Sequence, residues 1–213
     1  NLRDVLNSMA AGLGRCMYCG DSEGTDIDHF KPLRHAPLQA FDWLNHLLAC
    51  SHCNSNEKRD QYPCDNTGEC LLIDPSREDP YEHLRLTLPT GQYTPLTPKG
   101  QVTLKVFGLS RPILERGRAM AYVRCKSMLR DLVRLRASGE TSEASEVVQA
   151  LRVQPFADVL YAMVRCVNAP GAATVLGPEV ITALREWEPM FALPAIPAQR
   201  VDEDEVIPKG VTQ

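Results

Sequence analysis

Cys16-Met17-Tyr18-Cys19 and, further along, Cys50-Ser51-His52-Cys53-Asn54 frame the stretch whose reading decides the fold. Two C-x2-C pairs in one chain have the spacing of zinc knuckles. Each tight turn supplies two thiolates, and Zn²⁺ takes four soft ligands in a tetrahedron. Cys16, Cys19, Cys50 and Cys53 are therefore expected to hold one structural zinc; a pair of redox dithiols is the competing reading. The chain has eight cysteines. Cys64 and Cys70 bracket the polar run Asp65-Asn66-Thr67-Gly68-Glu69 and read as two unrelated thiols rather than a second metal site or a disulfide. Cys125 and Cys166 fall in apolar helical patterns and read as core.

The residues between the knuckles carry the chemistry. Thr25–Phe30 reads as a short strand, with Ile27 between Asp26 and Asp28, and His29 follows at once. Pro32 and Pro37 mark a loop, and Phe41–Ala49 is an apolar run entering the second knuckle. Asn54–Asp60 reads as a short polar helix. A zinc that pins this hairpin to that helix would face Asp28 and His29 toward Asn54. Asp28 and Asn54 then offer hard oxygen ligands suited to Mg²⁺ or Mn²⁺. An imidazole at His29 can take the proton of a water attacking phosphorus. His52 is a rival to Asn54, although it lies inside the knuckle. Lys58, one turn beyond Asn54, could reach a phosphate.

Working outward, Leu2–Leu13 reads as a weak amphipathic helix with Leu2, Val5, Leu6 and Met9 on one face. Leu71-Leu72-Ile73 suggests a buried strand. His83–Leu88 and Gln101–Phe107 both alternate, and predict two strands pairing around the Pro- and Gly-rich stretch 89–100. Ser110 and Pro112 predict the start of a helix running to about Ala137, with Leu114, Ala121, Met128, Leu132 and Leu135 at helical spacing and Gly139 as its stop. Further helices are predicted over 142–152, 155–167 and 178–188, with Pro155 and Pro178 in first-turn positions. From about Met190 the chain is rich in Pro and acid and reads as disordered.

The formal net charge is −4 over 213 residues, which does not advertise a nucleic-acid binder. The distribution is uneven, however. Residues 111–136 carry eight Lys/Arg against Glu115 and Asp131. Arg118, Arg124, Arg130 and Arg134 are candidate contacts to a nucleic-acid backbone or an acidic partner; a solvated helix face is the competing reading. No apolar run approaches the roughly 20 residues that span a bilayer. Asn1–Gly14 lacks the basic start and apolar stretch of a secretion signal. A cytoplasmic setting without a membrane is the default expectation.

Cys16–Lys58 resembles the HNH, or ββα-metal, nuclease motif: a first C-x2-C, then Asp-His, a central Asn, and a second C-x2-C followed at once by His or Asn. The resemblance implies that His29 is the general base, Asp28 a metal ligand, Asn45 the central Asn that holds the hairpin loop and orients the base, and Asn54 the last position. This H-N-N variant is similar at these positions to the HNH domain of Cas9-type nucleases. Asp28-His29-Phe30-Lys31-Pro32, Phe41-Asp42-Trp43-Leu44-Asn45, Leu72-Ile73-Asp74-Pro75, Asp79-Pro80-Tyr81-Glu82-His83-Leu84 and Val102-Thr103-Leu104 through Gly108-Leu109-Ser110-Arg111 resemble the HNH subunit of Septu-type and retron-associated anti-phage systems. That family tends to have Asn where this chain has Ser110.

The resemblance, which covers roughly residues 14–135, and the patterns along the chain together predict an α+β fold: a small ββα-metal module with a four-cysteine zinc site over 1–75, a β-rich segment over 76–109, a helical region over 110–189 and a disordered tail over 190–213. The resemblance implies a metal-dependent endonuclease acting on DNA as the effector of a bacterial defence system, with structural zinc, catalytic Mg or Mn, and an ABC-type ATPase or other defence subunit as partner. The alternative is a non-catalytic zinc module that binds nucleic acid or a partner.

Overall fold

The computed structural model describes residues 1–191. Its centre is an antiparallel pair, β1 (Asp26–His29) and β2 (His46–Ala49), in which Asp28 lies opposite Leu47 and His29 opposite His46. Successive side chains of a strand point to opposite faces. Asp26 and Asp28 therefore share one face with Leu47 and Ala49, while His29 and His46 share the other. Leu47, Leu48 and Ala49 are all buried. A helical segment, His52–Lys58, follows directly, and its wider π-type winding is of a kind that concentrates at functional sites. Between the strands the chain makes two short 3-10 turns, Pro37–Phe41 and Trp43–Asn45.

A second hairpin pairs β3 (Leu84–Thr87) with β4 (Gln92–Pro95), and α2 (Pro98–Val106) lies where a strand was expected from the alternation of Val102, Leu104 and Val106. Thr97 caps this helix, its hydroxyl accepting from Gly100 N at 3.2 Å, with Pro98 in the first position. The buried residues Gly100, Thr103, Leu104 and Phe107 recur at helical spacing. So short a window cannot separate the two periods, and the cap decides between them.

Leu71-Leu72-Ile73 is likewise not a strand. Leu72 and Ile73 are buried, but the three amides go to Pro63 O, Cys70 Sγ and the Thr103 hydroxyl, so no partner strand is needed. Cys64 and Cys70 are not unrelated: they face each other across an isolated antiparallel bridge, and both are free thiols.

The helical part comprises α3 (Pro112–Ser138), α4 (Thr141–Val153), α5 (Ala157–Cys166), α6 (Ala172–Leu176) and α7 (Pro178–Phe191). Arg111, not Ser110, is the residue that precedes the first turn of α3, and Gly139 at φ +77° closes the helix, a conformation open to glycine. Helix α3 packs on α4, α5 and α7 and buries Leu114, Ala121, Cys125, Leu129, Leu132 and Leu135; Met128 is half-buried. Cys125 is core as expected, whereas Cys166 is half-buried. The short α6 was not anticipated. The N-terminal α1 spans Leu2–Met9 and buries only Leu6 of its expected apolar face. Most of the stretch read as a disordered tail, 192–213, lies outside the described residues.

The helical part meets the first knuckle at Phe156. This aromatic residue adopts φ +62°, a conformation costly for any side chain with a Cβ. Its amide donates to Gly20 O at 2.8 Å. Its ring fills the space over Gly117, where an added Cβ would lie 2.4 Å from the ring. Beside it, Tyr93 donates to the half-buried Asp158 at 2.5 Å. Buried side chains from Cys16 to Leu184 form one continuous core.

Candidate functional site

The two knuckles meet because β2 joins them. Met17 N donates to Leu48 O at 2.9 Å, which holds the first turn against the strand that ends at Cys50. All four cysteines are buried, and their sulfurs lie within 4.8 Å of one another. A tetrahedral Zn²⁺ with Zn–S bonds of about 2.3 Å sets its sulfurs ~3.8 Å apart; Cys19 Sγ and Cys50 Sγ are at 4.0 Å. The donor set therefore fits zinc in chemistry, number and spacing. Cys53 N donates to Cys50 Sγ at 3.4 Å, the backbone support a thiolate takes. Hydrogen bonding from the neighbouring thiols, Cys16 first, pulls the Cys50 thiol well down and the Cys19 thiol to about 7.

The four-cysteine cluster seats His52–Lys58 against the Asp26/Asp28 face of β1. Asn54 Nδ2 donates to Asp26 Oδ2 at 3.1 Å, so the carboxylate beside Asn54 is Asp26 rather than the expected Asp28. Asp26 was missed as a site residue, though its place two residues before Asp28 in a strand puts it on the same face. Asp28 is buried and fully engaged. Lys58 Nζ lies 3.1 Å from Oδ1 and 3.0 Å from Oδ2, and the Tyr18 hydroxyl donates to Oδ2. Burial pushes the Asp28 carboxyl up, while Lys58 and Tyr18 pull against it. Tyr18 in turn is stacked on Phe107 with centroids 4.0 Å apart.

Two expected phosphate contacts are thereby corrected. Lys58 is 0% exposed and also donates to His29 O at 2.8 Å; its charge is directed inward, to the hairpin. Arg118 is 1% exposed. Its guanidinium donates to Gly91 O at 2.6 Å and Leu109 O at 2.8 Å and lies over the Tyr93 ring, tying the second hairpin to α3. Arg124, Arg130 and Arg134 are exposed. Arg130 is 3.6 Å from Glu179, and Arg134 is 2.9 Å from Asp131.

On the other face, His29 is half-buried. Its Nε2 is 3.4 Å from Ala40 O, and its ring is 4.8 Å from that of His46. Asn45 staples the loop that provides this carbonyl. Its Oδ1 accepts from Lys31 N at 2.7 Å, and its Nδ2 donates to Lys31 O at 3.1 Å and Gln39 O at 3.3 Å. His52 is exposed and turned away; its Nε2 is 3.0 Å from Glu57 Oε1, and Glu57 also takes Arg111 at 2.7 Å.

Residues 16–60 match the family model described as HNH endonuclease. The chain is similar to the Septu protein PtuB of Bacillus mycoides (strain KBAB4), at 28% identity over 150 aligned residues, covering 56% of this chain and 50% of that protein. The chain thus spans about half the length of this curated relative. No solved structure matches. Among the described residues no helix is long and apolar enough to cross a membrane. The four-cysteine centre, the β1–β2 pair and the helical segment after Cys53 coincide with the stretch that matches the HNH endonuclease model, in a chain similar to a Septu protein.

Proposed function

We propose that the chain is a metal-dependent endonuclease that hydrolyses phosphodiester bonds of DNA as the effector of an anti-phage system, with residues 1–75 as its nuclease module. The observation that carries this reading is the placement of His29. A carbonyl oxygen only accepts, so an Nε2–H directed at Ala40 O, 3.4 Å away, would put the lone pair on Nδ1. His29 then takes a proton from the attacking water at Nδ1 while the bond from phosphorus to the 3′ oxygen breaks. Asn45 acts as a positioning residue: by fixing Gln39 it fixes the Ala40 carbonyl that sets the tautomer.

Asp28 and Asn54 are the proposed ligands of Mg²⁺ or Mn²⁺, with Asp26 on the strand face of Asp28 and 3.1 Å from Asn54; an ion taken by Asp28 would replace its Lys58 contact. Such an ion supplies charge compensation to the phosphate and leaving oxygen. Asn54 is the residue proposed for it rather than His52, which is engaged by Glu57. Cleavage of plasmid DNA and of RNA in Mn²⁺ tests the reading. Asn54→Ala is expected to lose most activity and His52→Ala little, at matched zinc content. A dead His52→Ala beside an active Asn54→Ala overturns the assignment. The exposed Arg124, Arg130 and Arg134 and the helical region over 110–189 are proposed to dock nucleic acid or a partner subunit such as an ABC-type ATPase, and the setting is proposed to be cytoplasmic.

The buried Lys58–Asp28 pair is the observation that favours the second reading, a non-catalytic zinc module. Lys58→Met separates the two. Removing one member of a buried pair costs about 3–5 kcal/mol, so the melting temperature should fall. If Asp28 can hold a divalent ion, Mn²⁺ should restore much of that loss in Lys58→Met and none in the Asp28→Asn/Lys58→Met double variant. A melting temperature equally indifferent to Mn²⁺ in both variants supports the non-catalytic reading.

A further inference from the structure

The loop that carries Ala40 has an unusual tip. Leu38 and Phe41 are each 96% exposed, and Trp43 and Leu44 are partly bare beside them. Such a cluster of large apolar side chains in water marks a contact surface. The loop beneath it is well built: two 3-10 turns, the Asp42 carboxylate accepting from Leu44 N at 3.1 Å, and the three hydrogen bonds of Asn45. The backbone is held firmly while its apolar side chains touch little, an arrangement suited to insertion.

The surroundings name the occupant. Phe41 directly follows Ala40, whose carbonyl lies against His29. A nucleic-acid strand presented to His29 is therefore presented beside the turn that carries Phe41. Lys31, Arg34 and His35 lead into the loop along the chain, offset by Asp42 and by Asp60, which pairs with Arg34 at 3.2 Å. Nucleic acid presents phosphates to such cations and base faces to such rings.

We infer that Leu38 and Phe41 form a wedge that enters the base stack of the substrate next to the phosphate facing His29. Apolar side chains between base steps unstack them and bend the duplex. The inference rests on the nuclease reading for its choice of strand, but it concerns binding and is tested without cleavage.

The probe is a DNA duplex with 2-aminopurine placed at successive positions, bound to His29→Ala protein. Brightening at a few adjacent positions is expected. Phe41→Ala in that background should abolish the brightening and weaken binding by about 5- to 100-fold, the usual effect of one lost stacking contact. Phe41→Trp should keep both. Zinc content and circular dichroism should not change in either variant, because a side chain so exposed contributes little to folding. Equal affinity and equal fluorescence in Phe41→Ala, or no binding by either protein, overturns the wedge. So does a dimer in sedimentation that Phe41→Ala dissolves, which assigns the tip to self-association. Brightening without cleavage by the wild-type chain keeps the wedge and removes the nuclease reading. Cleavage by wild type with Phe41→Ala equally bound does the reverse.

Discussion

Replacing His29 with alanine is expected to slow phosphodiester cleavage by about 10²- to 10⁴-fold, the usual contribution of a general base, while zinc content and melting temperature stay near those of the parent. The reason is geometric. The one polar side-chain contact described for His29 is the long one, 3.4 Å to Ala40 O. The hairpin is held instead by Asn45, the strand pairing and the four-cysteine cluster. The readout is single-turnover cleavage of DNA in Mg²⁺ or Mn²⁺ at matched protein concentration. Asn45→Ala should also lose activity, but with a lower melting temperature, because Asn45 is buried and spans the loop. Wild-type rates in His29→Ala would falsify the assignment of the base and, with it, the mechanism proposed for this site.

The second large effect is expected from the zinc centre. Structural zinc is worth about 10–16 kcal/mol to small zinc-stabilised domains, which matches or exceeds the ~5–15 kcal/mol by which whole proteins are stable. Cys53 is 0% exposed and lies in the first turn of the helical segment. Cys53→Ser should therefore leave the chain largely unfolded or aggregated, and a strong chelator should do the same to the parent protein. Elemental analysis should find about one zinc per chain in the parent. Circular dichroism melts with and without chelator measure the effect. A metal-free chain that melts cooperatively at the parent temperature rules the site out as a structural one.

The four-cysteine cluster was legible in the sequence because its cysteines come in adjacent pairs, and a C-x2-C turn carries its geometry with it. The strand holding Asp28 and His29 was legible for the same reason: the pattern is local. Lys58 and Arg118 were not. Each sits in a helical stretch where a charged side chain normally faces water, and each is buried by acceptors far away in sequence: Asp28 lies 30 positions from Lys58, and Gly91 lies 27 from Arg118. Nothing near Lys58 in the chain announces that Asp28 will claim it. Asp26 stands between these cases. Its alternation with Asp28 placed it on the same strand face, but only the observed seating of Asn54 gave it a partner. For Gln101–Phe107, alternation over a short window suggested a strand, and the Thr97 cap with Pro98 carried the information that was needed.

The clamp made by Phe156 has a consequence for how the molecule comes apart. Its amide is bound to the carbonyl of Gly20, in the first cysteine turn, and its ring closes the gap over Gly117 in α3. A cysteine turn that loses its metal would release that carbonyl and free a backbone held at φ +62°, and α3 and α5 would lose a shared packing partner at the same moment. Amide protection against deuterium in the middle of α3 should therefore fall when zinc is withdrawn, far from any cysteine ligand. The knuckle and the bundle would open as one cooperative unit, so cutting the chain between them would expose two raw surfaces rather than release two self-sufficient pieces.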